Sequence, residues 1–188
     1  MDRAWRRSTD VIESLPATGS AASSNWERFE ALYRSSRDDL YAYVATLLRD
    51  PSAAEDITAQ AFERAYRRRR TFDRRRGEER AWLFGIARNA ALDELRRRKR
   101  TAQLATDPED VAASDPGDQG AEVALRRTAV RAALAGLPAR EREIVALKFH
   151  AGMSNAEIAR VLGVSESNAG TLLHRTMQKL RKACDDQA

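Results

Sequence analysis

The chain has 188 residues, of which 43% are hydrophobic and 32% charged, and its net charge is +5. The 6% of aromatic residues is low for an all-β protein, and one cysteine, Cys184, with two histidines excludes an intrachain disulfide and an ordinary structural zinc site. Residues 1–16 lack the apolar core of a signal peptide and no apolar run is long enough to span a membrane, so we expect a cytoplasmic protein without cofactors.

The predicted structure begins near Asn25, because residues 1–24 end in the small, turn-prone sequence PATGSAASS and are predicted to form a disordered tail. Apolar residues then recur mostly at helical spacing from Trp26 to Leu48, which predicts a first helix. Pro51 suits the first turn of a second helix, which should run to about Arg69. The predicted buried stripe of this helix consists of Ile57, Ala61, Phe62, Ala65 and Tyr66.

Residues 70–80, RTFDRRRGEER, are predicted to form a loop, and residues 81–100 a third helix. The residues that this helix should bury are Leu83, Ile86, Ala87, Ala90 and Leu95. Between Arg64 and Arg100 there are 15 basic and 5 acidic residues, interleaved with Phe72, Trp82 and Phe84. This pattern favours a nucleic acid, whose phosphates bind cations and whose unpaired bases stack on aromatic rings. A solvated charged face is the alternative.

Residues 101–121 are predicted to be an acidic linker, because two prolines and two glycines interrupt a segment with little apolar content. Six acids and no Lys or Arg occur between residues 101 and 122. The linker divides the chain into two helical modules, 25–100 and 122–188, and no segment alternates with a period of two. We therefore predict an all-α fold.

The C-terminal module has the spacing of a helix-turn-helix, whose second helix enters the major groove of DNA. A helix should begin at Pro138, present Ile144, Val145, Leu147 and Phe149 on one face, and end at Gly152. Ser154 and Glu157 then form a capping box, Gly163 makes the tight turn, and Ser165 caps the last helix. The inward residues between these caps are Ile158, Ala159, Leu162 and Val164. A small helical bundle with a glycine turn is the alternative.

Leu40–Arg67 and AWLFGIARNAALDELRRRKR, Ala81–Arg100, resemble regions 2.1–2.2 and 2.3–2.4 of bacterial sigma-70 family RNA polymerase sigma factors of the extracytoplasmic-function group. Leu137–Lys182 resembles region 4 of the same group. The resemblance implies a factor that has no chemistry of its own, directs core RNA polymerase to promoters and helps to open DNA. The linker would then lie in the active-site and RNA-exit channels of the polymerase, or serve as a solvated tether.

The resemblance also implies roles for individual residues. Region 2.2 would bind the clamp helices of the largest polymerase subunit through Asp56, Gln60, Glu63 and Arg64, and region 4 would bind the flap. Regions 2.3–2.4 would hold the non-template strand of the −10 element through Phe72, Arg76, Arg80, Trp82, Arg88, Asn89, Arg96 and Arg97. The −35 element would be contacted by Arg160, Ser165, Ser167, Asn168, Thr171, His174, Arg175 and Lys179. Trp82 could equally be a core residue, and an anti-sigma protein is an implied partner.

The chain departs from the family at Gly170 and Leu172, where family members often carry Lys or Arg. The departure leaves the promoter sequence open, and we expect residues 122–188 alone to bind the −35 element weakly. A repressor or activator that uses the helix-turn-helix without polymerase is the second hypothesis. An enzyme has little support, because the sequence has no P-loop, no GxSxG motif and no set of zinc ligands.

Overall fold

The computed structural model describes residues 20–73, 75, 77–102, 128 and 130–185, with side chains from Asn25 onward. Its helices are α1 (Ser20–Leu48), α2 (Pro51–Arg68), α3 (Glu79–Ala102), α4 (Ala139–Phe149), α5 (Asn155–Leu162) and α6 (Glu166–Asp185). A single 3-10 turn at Arg69–Thr71 follows α2, and residues 130–135 are helical before α4. Every regular element in these ranges is helical, which confirms the all-α prediction.

Helix α1 begins at Ser20 rather than near Asn25. The six residues from Ser20 to Asn25 contain neither Gly nor Pro, so nothing stops the helix from extending back to the residue after Gly19. The rest of the predicted tail, residues 1–19, lies outside the described residues. The predicted linker also lies outside them from residue 103 onward, because α3 continues to Ala102.

Helices α1, α2 and α3 form the N-terminal bundle, and the predicted stripes supply most of its core. Asp50 caps α2 by accepting a hydrogen bond from the backbone N–H of Ala53 at 3.0 Å, and Pro51 occupies the first turn. Four alanines on α3, Ala81, Ala87, Ala90 and Ala91, are buried, and their small side chains permit close contact between helices. Phe84 is also fully buried and lies 5.4 Å from Tyr43 between ring centroids. Phe84 is therefore a core residue and offers no surface on which a base could stack.

The C-terminal bundle confirms the predicted helix-turn-helix. Ser154 and Glu157 form the capping box of α5, and the helix ends at Gly163, whose left-handed φ of 67° favours glycine. The Ser165 hydroxyl accepts a hydrogen bond from the Asn168 backbone N–H at 3.2 Å and so caps α6. Phe149 departs from the prediction, because it is 62% exposed at the last residue of α4. Phe149 lies one turn beyond the buried Val145, but α4 ends at this residue, so the buried face of the helix is not continued past it.

The two bundles pack directly on each other. Helix α1 contacts α4, and α3 contacts α5. The buried apolar residues of both bundles belong to a single cluster, which extends from Leu40 and Val44 to Ile144 and Leu147. The surface of the N-terminal bundle that carries the predicted −10 residues is therefore close to the helix-turn-helix.

Candidate nucleic-acid interface

A cavity of about 430 Å³ lies between the end of α2, the loop that follows it and the first turns of α3. Its lining includes Phe72, Trp82 and Asn89, three residues that the sequence assigned to the −10 strand. The Phe72 and Trp82 rings are 5.2 Å apart between centroids, and both side chains are partly exposed. Asn89 is exposed at the cavity and can both donate and accept hydrogen bonds. Trp82 thus packs against the core with one part of its ring and borders the cavity with another.

Gly77 shapes the loop at the cavity mouth, and sequence reasoning gave it no role. Its φ of +134° lies in a region that residues with a side chain rarely adopt. A β-carbon at this position would lie 2.5 Å from Nη1 of Arg160, which reaches over from the C-terminal bundle. Arg160 also lines the cavity. The residue expected at the −35 element therefore touches the N-terminal loop in this conformation.

The remaining cations of the N-terminal bundle are mostly solvent-facing. The Arg69 guanidinium stacks 3.8 Å above the Tyr66 ring. Arg96 and Arg97 are exposed and form ion pairs one turn apart on α3, with Asp93 and Glu94 respectively. The Arg96–Asp93 pair is exposed on both sides, and pairs of this kind are worth about 0–1 kcal/mol, so a DNA phosphate can replace the Asp93 carboxylate at little cost. The Glu94 side chain is only 13% exposed. Arg76 lies outside the described residues.

Arg80 and Arg88 are instead occupied by contacts inside the protein. Arg80 donates to the Ser35 carbonyl, the Ser36 hydroxyl, the Asp39 carboxylate and, across the bundle interface, the Ala151 carbonyl. Arg88 Nε donates to Glu143 Oε1 at 2.7 Å, and the buried Tyr43 hydroxyl donates to the same oxygen at 3.0 Å. Burial, reinforced by the Glu143 carboxylate, raises the pKa of the Tyr43 phenol well above its usual range.

The four residues assigned to polymerase binding form a polar row along α2. Asp56, Gln60, Glu63 and Arg64 are all exposed, opposite the buried Ile57, Ala61 and Ala65. Asp56 and Gln60 border a notch of about 440 Å³ between α2 and α3, whose other lining residues include Asp50, Glu94, Arg97 and Arg98. Arg98 bridges the two helices by bonding both Asp50 and Glu94 at 2.8 Å. The bridge fixes the position of the exposed row relative to α3.

The carboxylates in this notch predict how stability depends on pH. Hydrogen bonds from Arg97 and Arg98 lower the pKa of Glu94 to about 2, and bonds from the Ala53 backbone and Arg98 lower the pKa of Asp50. When the pKa of a carboxyl group is lower in the folded than in the unfolded chain, the group stabilises the fold at any pH above its pKa in the unfolded chain. This contribution is lost as the pH falls through its pKa in the folded chain. The free energy of unfolding, measured with urea from pH 5 to about 2, should therefore fall less steeply in Glu94→Gln than in the parent chain. The control Asp93→Asn, one residue away, should keep the steeper fall; equal slopes for the parent and Glu94→Gln would contradict the prediction.

Helix α6 presents a small polar surface to solvent. All eight residues assigned to the −35 element are exposed: Arg160 on α5, Ser165 at the cap of α6, and, on α6 itself, Ser167, Asn168, Thr171, His174, Arg175 and Lys179. The Lys179 ammonium pairs with Glu141 on α4, so this cation is already engaged within the C-terminal bundle. Leu172 packs against the core, which explains an apolar residue where the family often has a cation. Arg175 thus remains as the exposed cation in the middle of the helix.

Gly170 has no packing reason to be glycine. A β-carbon there would make an ordinary contact of 3.5 Å with the Asn155 side chain, and its φ is not positive. The atom nearest to such a β-carbon belongs to a side chain, so no neighbouring backbone requires glycine at this position. Gly170→Ala should raise the free energy of unfolding by about 1 kcal/mol, because alanine loses less backbone entropy in a helix. Thermal unfolding followed by circular dichroism measures this gain, and a lower Tm in the variant would contradict it.

Within the described ranges, no cluster of three or more His, Cys, Asp or Glu residues is placed to hold a metal ion. None of the helices in the same ranges combines the length and the apolar content needed to cross a bilayer.

Sequence comparisons match both bundles. The family described as Sigma-70 region 2 matches residues 32–101, and the family described as Sigma-70, region 4 matches residues 127–180. The chain is 33% identical over 184 residues to the ECF RNA polymerase sigma factor BldN of Streptomyces coelicolor, covering 96% of this chain and 69% of the relative. It is 32% identical over 162 residues to the ECF RNA polymerase sigma factor SigL of Mycobacterium tuberculosis, covering 86% and 91%.

Two solved structures share the arrangement of helices. The sigma factor RpoE of Bartonella quintana, solved in complex with the anti-sigma factor NepR, has a TM-score of 0.70 at 22% identity, covering 85% of this chain and 98% of its own. CnrH, solved in complex with the cytosolic domain of CnrY, has a TM-score of 0.62 at 27% identity, covering 89% and 94%.

Proposed function

The chain belongs to the extracytoplasmic-function group of the sigma-70 family of RNA polymerase sigma factors, and we propose that its two bundles divide promoter recognition between the −10 and −35 elements. As a member of this group it is a transcription initiation factor that recognises promoters. It contributes no bond chemistry of its own and acts in the bacterial cytoplasm, where polymerase and promoter DNA meet.

The N-terminal bundle binds the non-template strand of the −10 element in the cavity beside the loop. This cavity is the observation that carries the assignment, because it combines two partly exposed rings with the exposed Asn89 amide. An extruded base needs a surface on which to stack and groups that bond its edge, since unpairing costs a few kcal/mol. The exposed Arg96 and Arg97 follow the phosphates, which adds affinity without sequence preference.

The exposed row on α2 binds the clamp helices of the largest polymerase subunit. Asp56, Gln60, Glu63 and Arg64 offer charge of both signs and an amide on a surface that the Arg98 bridge keeps in register with α3. The C-terminal bundle binds the polymerase flap, and the acidic linker at 101–121 occupies the active-site and exit channels.

Helix α6 reads the −35 element through Ser167, Asn168 and Thr171, with Arg175 on a phosphate. Short polar side chains can bond base edges but supply little of the electrostatic affinity that Lys and Arg provide. The −35 contact is therefore weak alone, and the polymerase and the N-terminal bundle supply the missing affinity. An anti-sigma protein is a further partner, by analogy with the complex of RpoE with the anti-sigma factor NepR.

Run-off transcription with purified core polymerase tests this function. The expected result is a transcript that requires both the chain and a candidate promoter, such as the one upstream of its own gene. Absence of promoter-dependent transcript from every candidate, together with tight duplex binding by the free chain, would favour a regulator that acts without polymerase.

Asp56→Arg should reduce co-purification with core polymerase, and Arg34→Glu on α1 is a control on a different exposed surface.

A further inference from the structure

The contact between the two bundles buries the charged carboxylate of Glu143, whose hydrogen-bond partners lie on the opposite bundle. Glu143 on α4 is 4% exposed, and Tyr43 on α1 is fully buried. Among the described residues, both groups that bond the Glu143 carboxylate, the Tyr43 hydroxyl and the Arg88 guanidinium, belong to the N-terminal bundle. Glu143 therefore depends on the other bundle for its partners.

The net free energy of this cluster is small, as expected for a contact between bundles that can separate. A buried carboxylate costs several kcal/mol to desolvate, and attraction to its partners offsets that cost only when the geometry is good. In the separated bundles, water would solvate Glu143 and Arg88 instead, so the cluster adds little net stability to the closed form. The cluster does determine how the two bundles dock, because docking in another relative position would leave the Glu143 carboxylate buried without a partner. Apolar residues in its place would hold the bundles together more firmly.

The closed form occupies the groups that the −10 strand would use. Arg88 is bonded to Glu143, and Arg80 donates across the interface to the Ala151 carbonyl at 3.1 Å. Arg160 of the helix-turn-helix lies against Gly77 and lines the cavity that Trp82 and Asn89 also border. A DNA strand in the cavity would therefore compete with Arg160 for the same space. A strand that continues past Asn89 to Arg88, which lies outside the cavity lining, would compete with Glu143 for the Arg88 guanidinium.

We propose that in the free chain the C-terminal bundle is an intramolecular competitor of the −10 strand, positioned by a latch of Tyr43, Arg88 and Glu143. The closed form tolerates this latch only while it is intact, because loss of one charge leaves its partner at the interface uncompensated. The competition rests on the proposed function of the cavity, whereas the latch itself does not. The latch opens when polymerase draws the bundles apart, and Arg88 and the cavity then become available together.

Small-angle X-ray scattering of the full-length chain tests the latch independently of DNA. Glu143→Arg should increase the radius of gyration, because it places a second guanidinium beside Arg88. The double exchange Arg88→Glu with Glu143→Arg should reverse this increase, because it restores the pair with its ends swapped. An unchanged radius in the folded single variant, or no reversal in the double variant, would overturn the latch.

Circular dichroism establishes that each variant keeps its helical content. Should Glu143→Arg fail to fold, Glu143→Gln takes its place, because glutamine keeps the volume and an acceptor for the Tyr43 hydroxyl but loses the charge. A folded Glu143→Gln chain with the radius of the parent also overturns the proposal.

Binding of fluorescent single-stranded promoter DNA by the free chain tests the competition. Glu143→Gln should bind about tenfold more tightly, since an affinity masked by a closed state rises as the open fraction rises. Glu141→Gln is the matched control: it removes the same charge from the same helix, but its partner Lys179 lies within the C-terminal bundle. An expanded Glu143→Gln chain without a gain over this control would overturn the competition. No binding by any variant, even in complex with polymerase, would instead count against the proposed −10 function.

Discussion

Replacing Phe84 by alanine is expected to lower the free energy of unfolding by about 3–5 kcal/mol. The ring is fully buried against Tyr43, so its removal leaves a cavity in the middle of the N-terminal bundle. Because a whole domain is stable by only about 5–15 kcal/mol, this loss should leave the variant close to unfolding at 37 °C. Urea denaturation followed by circular dichroism measures the change.

Phe72→Ala is the matched control for this prediction, since it removes the same ring from a partly exposed site twelve residues earlier. Its free energy of unfolding should change by no more than about 1 kcal/mol. Comparable losses in the two variants would mean that the distinction between the core ring and the cavity ring is wrong.

Phe72→Ala should nevertheless impair promoter opening. Stacking of one base on an aromatic ring is worth about 1–3 kcal/mol, so the affinity of the polymerase holoenzyme for the −10 non-template strand should fall about 5- to 150-fold. The measurement is fluorescence anisotropy with a single-stranded −10 oligonucleotide, followed by run-off transcription on duplex promoter DNA.

Two substitutions at the same position identify stacking as the cause. Phe72→Tyr keeps the ring and should stay near the parent affinity, whereas Phe72→Leu keeps an apolar side chain without a ring and should behave like the alanine variant. Equal affinities for Phe72→Leu and the parent would show that the cavity holds no stacked base at this residue.

Local signals in the sequence were sufficient for the helix-turn-helix. The capping box of Ser154 and Glu157, the left-handed turn at Gly163 and the cap at Ser165 each involve residues within three or four positions. Such contacts depend on the backbone nearby and little on the rest of the fold. The buried stripe of α2 was predictable for the same reason, because it follows from the spacing of apolar residues that are close together in the sequence.

The sequence could not show which of two aromatic residues on α3 is the more deeply buried. Trp82 and Phe84 are two positions apart, so the helix points them about 200° away from each other. One of them must therefore face the core more than the other, but periodicity alone does not say which when both are large and apolar. The neighbouring α1 decides, because Tyr43 supplies the surface that encloses Phe84.

The contact between the bundles was not predictable from local pattern either. Tyr43 and Glu143 are 100 residues apart, and Glu143 lies in the charged sequence AREREIV, where a solvated acid is the usual expectation. The resemblance likewise implied DNA contacts for Lys179 and Arg160, without indicating their contacts inside the protein. Their partners, Glu141 and the loop at Gly77, come from other elements of the fold.

The apolar cluster that runs unbroken through both bundles has a consequence for thermodynamics. Two halves of a chain that share buried surface lose it together, and their melting is then coupled. In differential scanning calorimetry the closed chain should give one endotherm, whose calorimetric enthalpy equals its van't Hoff enthalpy. The boundary between the two sequence families would then fall inside a single cooperative unit.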